Sequence, residues 1–358
     1  MGKHRIMDII LEQGGDLVEE LTLTVVPRDI YRKYLTKYSI TIVSKYPEIW
    51  NNNPYVKAVI SKSSEAIKLP TVKEYLNTGT NKKKGQHILE IQLRIAEEAL
   101  KDKGISNLQL TEFRPYHRLA PDNSLLAPGV EYKTGKRPYW IVYNGWSTEE
   151  SVQAWDYMKW KALLNKLTTI DNLQCLQPAY IPDYSLPGLK QAVTLNDIVE
   201  LPVLAWLVQH SHGVITTSGF LSHLAAAYGK PCVVIAGSSK DRHLNSYSMY
   251  RINNWHKSLP EAYRWMTAAL VPQSYLRGTC GTPNCWADSL TAGNICKKLI
   301  KPGNGTASAP GMVQAECMYS ISIEEVEHEV MGYEDRLNAM AYNSITEAIS
   351  TVFEKVSR

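Results

Sequence analysis

One segment combines residue types that could bind an anion. Residues 214–231, VITTSGFLSHLAAAYGKP, are predicted to form a strand that breaks at Ser218-Gly219 and enters a helix rich in small residues, and a second apolar run follows at Cys232. Strand, glycine turn, helix and strand make a parallel βαβ unit, which offers backbone N–H groups to an anion at the helix start. His223, one turn into that helix, could reach a diphosphate or a sugar hydroxyl. On this motif alone, a βαβ unit without a ligand is the favoured interpretation.

A carboxylate near the N-terminus is the candidate general base. Asp16 follows Gly14-Gly15, which come after an apolar run predicted as the first strand, residues 6–11. This order brings the carboxylate to the carboxyl edge of a sheet, where it could accept a proton from a hydroxyl group. The alternative is an N-cap for the next helix, a common role for Asp. One residue can serve in both roles.

Four segments together resemble a known family. The pattern SG…HLAAAYGKP is similar to the signature of the heptosyltransferase-like glycosyltransferases, glycosyltransferase family nine. The other matching segments are Gly14-Gly15-Asp16 followed by ITIVSKYPEIWNNNPYVKAVI, a strand and glycine-containing loop in residues 139–155, and Cys280, Cys285-Trp286 and Cys317-Met318 followed by ISIEEV. The four segments occur in the order that the family has, and the resemblance covers most of the chain.

The resemblance implies the GT-B fold, which is an α/β fold with two Rossmann-like domains facing a cleft and a C-terminal helix that crosses back to the first domain. We expect an acceptor-side domain with linker in residues 1–135, a nucleotide-sugar-binding domain in 136–335 and the terminal helix in 336–358. Asp16 takes the position of the family's catalytic aspartate, with Gly14, Gly15, Lys136 and Arg137 on the acceptor side. The expected donor-binding residues are Asn144, Gly145, Trp146, Ser147, Thr217, Ser218, Gly219 and His223.

The sequence also departs from the family pattern at the donor loops. Thr217 stands where the family usually has an acidic residue, and the spacing from Gly219 to His223 is one residue longer. Gln153-Ala154 replace a basic residue that commonly precedes the tryptophan of the second-domain loop. These changes put a heptose donor in doubt and leave the N–H cradle intact.

The expected reaction needs no metal or cofactor. Many glycosyltransferases hold a metal through an Asp-x-Asp motif, and this sequence has none. The prediction is therefore an inverting transfer from a nucleotide-diphosphate sugar, with a helix N-terminus relieving the charge of the leaving diphosphate. Four cysteines could form a structural zinc site, but their spacing fits no common zinc template, so no bound metal is expected. They are Cys280, Cys285, Cys296 and Cys317.

Composition describes an ordinary globular chain. It has 358 residues, 44% hydrophobic and 21% charged, with a formal net charge of +4. No apolar run is long enough to span a membrane, and the N-terminus is too polar for a signal peptide. We therefore expect a cytoplasmic protein of a bacterium or of a virus-infected host cell.

The acceptor is predicted to be polyanionic. Basic residues concentrate before and within the expected linker, although such residues often only keep a loop solvated. They are Lys82, Lys83, Lys84, Arg114, His117, Arg118, Lys133, Lys136 and Arg137. A glycan such as a lipopolysaccharide core is favoured over DNA, because a net charge of +4 gives a weak field for a long polyanion. A transferase acting on hydroxymethylated DNA bases of a virus and a non-catalytic sugar-nucleotide-binding protein are the alternatives.

The elements that position these residues follow from apolar periodicity. Residues 86–103 repeat at helical spacing and predict an amphipathic helix that ends at Gly104. The β-branched residues 21–26 favour a strand, whereas the family pattern favours a helix. Two helices are predicted near the C-terminus, in residues 324–331 and 337–355.

Overall fold

Two separate parallel sheets, each with helices packed against it, organise the chain. They are seen in a computed structural model. It describes residues 6–78, 86–119, 138–143, 155–179, 193–198, 200–237, 246–248, 257, 271, 273–279, 299–300 and 314–356. Among these residues, no helix is both long enough and apolar enough to cross a membrane.

The first sheet has four strands in the order β3-β2-β1-β4, all parallel. In chain order, this part contains β1 (Met7–Gln13), α1 (Leu17–Leu23), α2 (Val25–Tyr34), β2 (Tyr38–Val43), α3 (Pro47–Trp50), β3 (Ala58–Ile60), β4 (Ile67–Leu69), α4 (Val72–Asn77) and α5 (Ile88–Leu100). Leu11 of β1 pairs with Ile42 on one side and with Ile67 on the other. The strand that leads to Asp16 is therefore interior to the sheet.

Residues 21–26 form the end of α1 and the start of α2, joined by a turn at Thr24, although their β-branched side chains favour a strand. Asp16 caps α1 five residues before this stretch begins, so the helix has already started when the β-branched residues are reached. The hydroxyl of Thr22 donates to the carbonyl of Val18, 2.8 Å away, and Val25 and Val26 are fully buried. Burial in the core outweighs the weak intrinsic preference of these residues.

The predicted amphipathic helix is confirmed as α5. His87 precedes it, and its ring accepts from the backbone N–H of Leu89. A turn of 3₁₀-helix follows α5, and Gly104 ends it with a left-handed backbone, φ 79°, which glycine adopts without steric cost.

The second sheet has six parallel strands in the order β10-β9-β8-β5-β6-β7. This part contains β5 (Tyr139–Tyr143), α6 (Tyr157–Thr169), β6 (Gln174–Ala179), β7 (Val193–Ile198), α7 (Leu201–His210), β8 (Gly213–Thr217), α8 (Phe220–Ala227), β9 (Cys232–Ile235), β10 (Ser274–Leu276), β11 (Leu299–Ile300), β12 (Gln314–Ala315), α9 (Glu316–Ser320) and α10 (Ile323–Val356). The predicted βαβ unit of residues 214–236 is confirmed as β8, α8 and β9.

The C-terminal segment is one helix, so the prediction of two helices was wrong. α10 runs without a break through Gly332, and a domain boundary at residue 336 would fall inside it. A glycine within a helix costs about 1 kcal/mol relative to alanine. The buried side chains of Val326, Val330 and Tyr333 pack against the second sheet and outweigh that cost.

Glu334 fixes α10 to the second domain. Its carboxylate accepts from the indole N–H of Trp140 and lies 2.9 Å from Nδ1 of His212. α10 also packs on α6, β9 and β10. The crossing of this helix to the first domain stays a prediction.

The start of β8 is closely packed against Trp140. A Cβ atom added to Gly213 would lie 2.6 Å from the Cη2 atom of that ring. We expect Gly213→Ala to destabilise the fold by about 1–3 kcal/mol, the usual cost of overpacking a core. Thermal unfolding of the purified protein measures it. The control is Gly332→Ala, where a Cβ meets nothing within 4 Å and the change should be neutral or stabilising. An unchanged Tm for Gly213→Ala would contradict the packing.

Candidate active site

Asp16 sits in the loop that follows β1 and caps α1. Its Oδ1 atom accepts from the backbone N–H of Val18 at 2.9 Å and of Glu19 at 3.0 Å, so the predicted N-cap role is confirmed. The residue is exposed. A carboxylate has about four acceptor positions, so capping leaves capacity to accept a proton from a substrate. Its role as the base stays a prediction.

A buried amide pair anchors this loop. Gln13, the last residue of β1, and Gln92 of α5 exchange side-chain hydrogen bonds of 2.9 and 3.1 Å. Gln92 also donates to the carbonyl of Glu19 and to the hydroxyl of Thr22, each at 3.2 Å. Gln13 donates to the carbonyl of Pro70 at 2.9 Å. These bonds tie the end of β1, the first helix and the approach to α4 together.

Glu19 lies against the same loop. Its Oε1 atom accepts from the backbone N–H of Val72, the first residue of α4, at 3.0 Å. The pKa of Glu19 is raised to about 7, first by burial and then by the negative charge of Asp16, while the backbone N–H groups of Val72 and Lys73 oppose the rise. A carboxyl group that ionises near neutral pH therefore stands beside the predicted base.

The two glycines of the loop differ in what surrounds them. A Cβ on Gly15 would collide with the folded-back side chain of Glu19, whereas a Cβ on Gly14 would meet nothing within 4 Å. Neither glycine has a positive φ. Any preference for glycine at position 15 therefore comes from the space that the Glu19 side chain occupies and not from a left-handed turn.

The turn between β8 and α8 is the second predicted part of the site. Thr217 is buried, and Ser218 and Gly219 are partly exposed. Gly219 is the N-cap of α8 and makes no side-chain capping bond. A Cβ on Gly219 would meet nothing within 4 Å, so the protein's own packing does not require glycine there. An open glycine at a helix N-terminus lets an anion approach the backbone closely.

His223 is fully buried in this structure. Its Nδ1 atom lies 2.6 Å from the hydroxyl of Tyr247, and burial raises the pKa of that hydroxyl well above its usual value. The ring of Tyr247 makes edge contacts with His87 and is 6.0 Å from the ring of Phe113. His223 therefore packs at a junction with the first domain, and its predicted contact with a donor stays a prediction.

The two domains meet through the helices that follow β1 and β8. α1 packs directly on α8, and their apolar side chains belong to one continuous core. Nearby, Nδ1 of His117 lies 2.5 Å from the hydroxyl of Tyr228, which follows α8. The structure thus brings the helix capped by Asp16 against the helix that starts at Gly219.

Several predicted site residues lie outside the described residues. β5 ends at Tyr143, which pairs with Thr216, so the described chain stops next to the Thr217 turn. The predicted residues beyond it are Asn144, Gly145, Trp146 and Ser147, and the other undescribed ones are Lys82, Lys83, Lys84, Lys133, Lys136, Arg137, Cys280, Cys285 and Cys296. Cys317 is described and is a buried core residue.

The basic residues at the start of the predicted linker, residues 114–138, do not all face solvent. His117 is buried, and burial lowers its pKa to about 4, so it is neutral at pH 7. Arg114 pairs with Glu112 at 2.9 Å. Arg118 is exposed. His117 therefore adds no positive charge beside Arg114 and Arg118, because a cation there would lose its hydration.

Sequence comparison identifies the family. Residues 70–267, more than half of the chain, match the family model of glycosyltransferase family 9 (heptosyltransferase). The chain belongs to this family and is a nucleotide-sugar glycosyltransferase. No curated protein matches the chain by sequence.

Solved structures agree on the fold. The ADP-heptose LPS heptosyltransferase II of E. coli superimposes with a TM-score of 0.61 at 14% identity, covering 92% of this chain and 99% of that one. The iron-containing dodecameric glycosyltransferase TibC of enterotoxigenic E. coli superimposes with a TM-score of 0.56 at 15% identity, covering 93% of this chain and 78% of that one. A glycosyl transferase family 9 protein of Veillonella parvula superimposes with a TM-score of 0.53 at 14% identity, covering 73% of this chain and 92% of that one. The chain has the two-domain, Rossmann-like GT-B fold.

Sequence reasoning missed four residues that shape the site, which are Gln13, Glu19, Gln92 and Tyr247. Gln92 carried a signal, because it falls on the apolar face of α5 between Leu89 and Ile95. A polar residue in an apolar stripe indicates a buried hydrogen-bond partner. The others had no comparable signal in the sequence.

The raised pKa of Glu19 makes stability depend on pH. The folded state binds this proton more tightly than the unfolded chain, so wild type loses stability as pH rises from about 4.5 to about 7. Glu19→Gln has no such proton. We expect the difference in Tm between the variant and wild type to shift in favour of the variant as pH rises through this window. Above the window, the difference should stay constant. Calorimetry at intervals of pH measures this. A constant difference in Tm would contradict the raised pKa.

Proposed function

We propose that this chain is an inverting, metal-independent glycosyltransferase that moves a sugar from a nucleotide-diphosphate sugar to an acceptor hydroxyl, with Asp16 as the base. The observation that carries the proposal is the packing of the helix capped by Asp16 on the helix that follows Gly219. Asp16, which is exposed, is the N-cap of α1, and Gly219 is the N-cap of α8 and has no side chain to cap it. The two helices pack on each other. A proton acceptor and an anion-binding helix start thereby belong to one junction.

Asp16 has the chemistry for the acceptor side. As the acceptor oxygen attacks the anomeric carbon, its proton passes to the Asp16 carboxylate. The new carbon–oxygen bond forms on the face opposite the leaving group, while the bond from the anomeric carbon to the diphosphate breaks and its electrons leave with the diphosphate. This geometry inverts the anomeric configuration. Gln13 and Gln92 hold the loop, so the carboxylate keeps its position during the transfer.

The start of α8 has the chemistry for the donor side. The N-terminus of a helix carries roughly half a positive charge and offers N–H groups to the leaving diphosphate. Ser218 and Gly219 are partly exposed at this point, and Thr217 and His223 are the residues that the family pattern adds to the donor site. Metal independence is supported by the lack of an Asp-x-Asp motif in the sequence.

The acceptor that we propose is a phosphorylated glycan core, such as that of a lipopolysaccharide. In the segment 114–119, one arginine is paired and His117 is neutral, which leaves fewer positive charges for a long polyanion. A long polyanion such as DNA would need several phosphate contacts and would bind with a steep dependence on salt. Acceptor-side contacts from Lys136 and Arg137 remain part of the proposal.

The base is tested by Asp16→Asn. Asparagine caps helices about as well as aspartate, so folding should be preserved, while turnover falls by roughly 10²–10⁴-fold. The assay is release of the nucleoside diphosphate from the nucleotide sugar that a thermal-shift screen selects, in the presence of a glycan core acceptor. The control is Asp156→Asn, the same change at the N-cap of α6, which should retain turnover. Equal turnover in Asp16→Asn and wild type would limit Asp16 to capping.

The donor site is tested by Gly219→Ala. The backbone there is extended, with φ 163°, and a Cβ has free space, so Tm should not change. A methyl group would instead obstruct the approach of a diphosphate to the helix start, and we expect affinity for the donor to fall about tenfold or more. A thermal-shift screen of nucleotide sugars selects the donor, and calorimetric titration measures its affinity. Gly332→Ala serves as the control. Unchanged affinity would exclude the α8 start as the diphosphate site.

A further inference from the structure

Glu19 makes three contacts that converge on the loop of Asp16. Its backbone N–H donates to Oδ1 of Asp16 at 3.0 Å, and its Oε1 atom accepts from the N–H of Val72 at 3.0 Å. Its side chain folds back over Gly15, where no Cβ could fit. One residue therefore connects Asp16, the loop backbone and the start of α4.

The charge of Glu19 is coupled to that of Asp16. The charged groups that face its carboxyl are Asp16 on its own loop and Glu74 on α4, and both raise the pKa of Glu19, Asp16 more strongly. Coulombic coupling between two sites is reciprocal. Ionisation of Glu19 thus adds a negative charge beside the carboxylate that must take up a proton from the acceptor.

We propose that Glu19 is a positioning residue for Asp16, which holds the Gly15–Asp16 backbone against α4 and places a second, ionisable carboxyl group beside the carboxylate of Asp16. This inference rests on the proposed role of Asp16 as the base. Glu19 touches no reacting atom and acts only through its neighbour. Its two effects can be separated, because glutamine keeps the acceptor for Val72 and cannot ionise.

The electrostatic coupling between Glu19 and Asp16 is tested by a titration that does not depend on measuring turnover. In protein labelled with ¹³C at the glutamate carboxyl carbons, we expect a signal that titrates near pH 7 and is missing in Glu19→Gln. The midpoint of this signal should move to lower pH in Asp16→Asn, and by a smaller amount in the matched variant Glu74→Gln. A midpoint that Asp16→Asn leaves unchanged would overturn the proposal.

The kinetic consequence is tested with ADP-heptose and a glycan core acceptor. The dependence of kcat on pH should contain a rise near pH 7 in wild type that Glu19→Gln lacks, while KM for the donor stays within about twofold. A rise that persists in Glu19→Gln would overturn the proposal. If the carboxyls titrate as a coupled pair but no ADP is released, ADP-heptose is excluded as the donor and the pairing of Glu19 with Asp16 stands.

Discussion

The packing of α1 on α8 is the contact on which the candidate site depends. Each helix follows the carboxyl end of a strand interior to its sheet, β1 in the first sheet and β8 in the second. Ligands of parallel α/β sheets bind at these carboxyl ends. Because the two helices share one apolar core, their starting loops hold a fixed relation to each other. Hydrophobic burial between α1 and α8 therefore sets where the loop of Asp16 and the turn at Gly219 lie relative to each other.

Such a core must also satisfy the polar groups that it buries. An unpaired buried polar group costs about 1–3 kcal/mol, and the first domain avoids this cost by giving Gln92 three partners. At the junction between the domains, the hydroxyl of Tyr247 hydrogen-bonds to the ring of His223, and the ring of Tyr247 packs on His87. The same bonds that satisfy these groups fix the loop geometry, because each joins elements that are far apart in the sequence.

The sequence predicted the elements around the second half of the site closely. β5 lies at the start of residues 139–155, where a strand was predicted, and β8, α8 and β9 follow the predicted order of strand, helix and strand. Short apolar runs between glycines and prolines leave few alternatives. The place of Asp16 at the end of β1 followed from the same pattern. The continuity of α10 through Gly332 did not follow from the sequence pattern, because it depends on packing against the second sheet.

Side-chain directions could not be predicted in the same way. Glu19 is separated from Val72 by 53 positions, and no local pattern indicates that its carboxyl turns toward α4. Tyr247 meets His87 only because the two domains pack together. Periodicity indicates which face of an element is buried, whereas the partner across the core is fixed by the tertiary arrangement.

The burial of His223 has a consequence for access to the donor turn. His223 is enclosed by Tyr247, which in turn packs on His87 from the first domain, so separation of the domains would break this cluster and the α1–α8 contact together. Breaking an apolar contact costs about 25 cal/mol for each Å² exposed, which favours the packed arrangement in the absence of a ligand. A nucleotide sugar that contacts His223 must therefore bind the separated arrangement more tightly than the packed one, since a ligand shifts an equilibrium only by its difference in affinity. A donor held by Ser218, Gly219 and the start of α8 alone would need no such separation, because these groups already reach the surface.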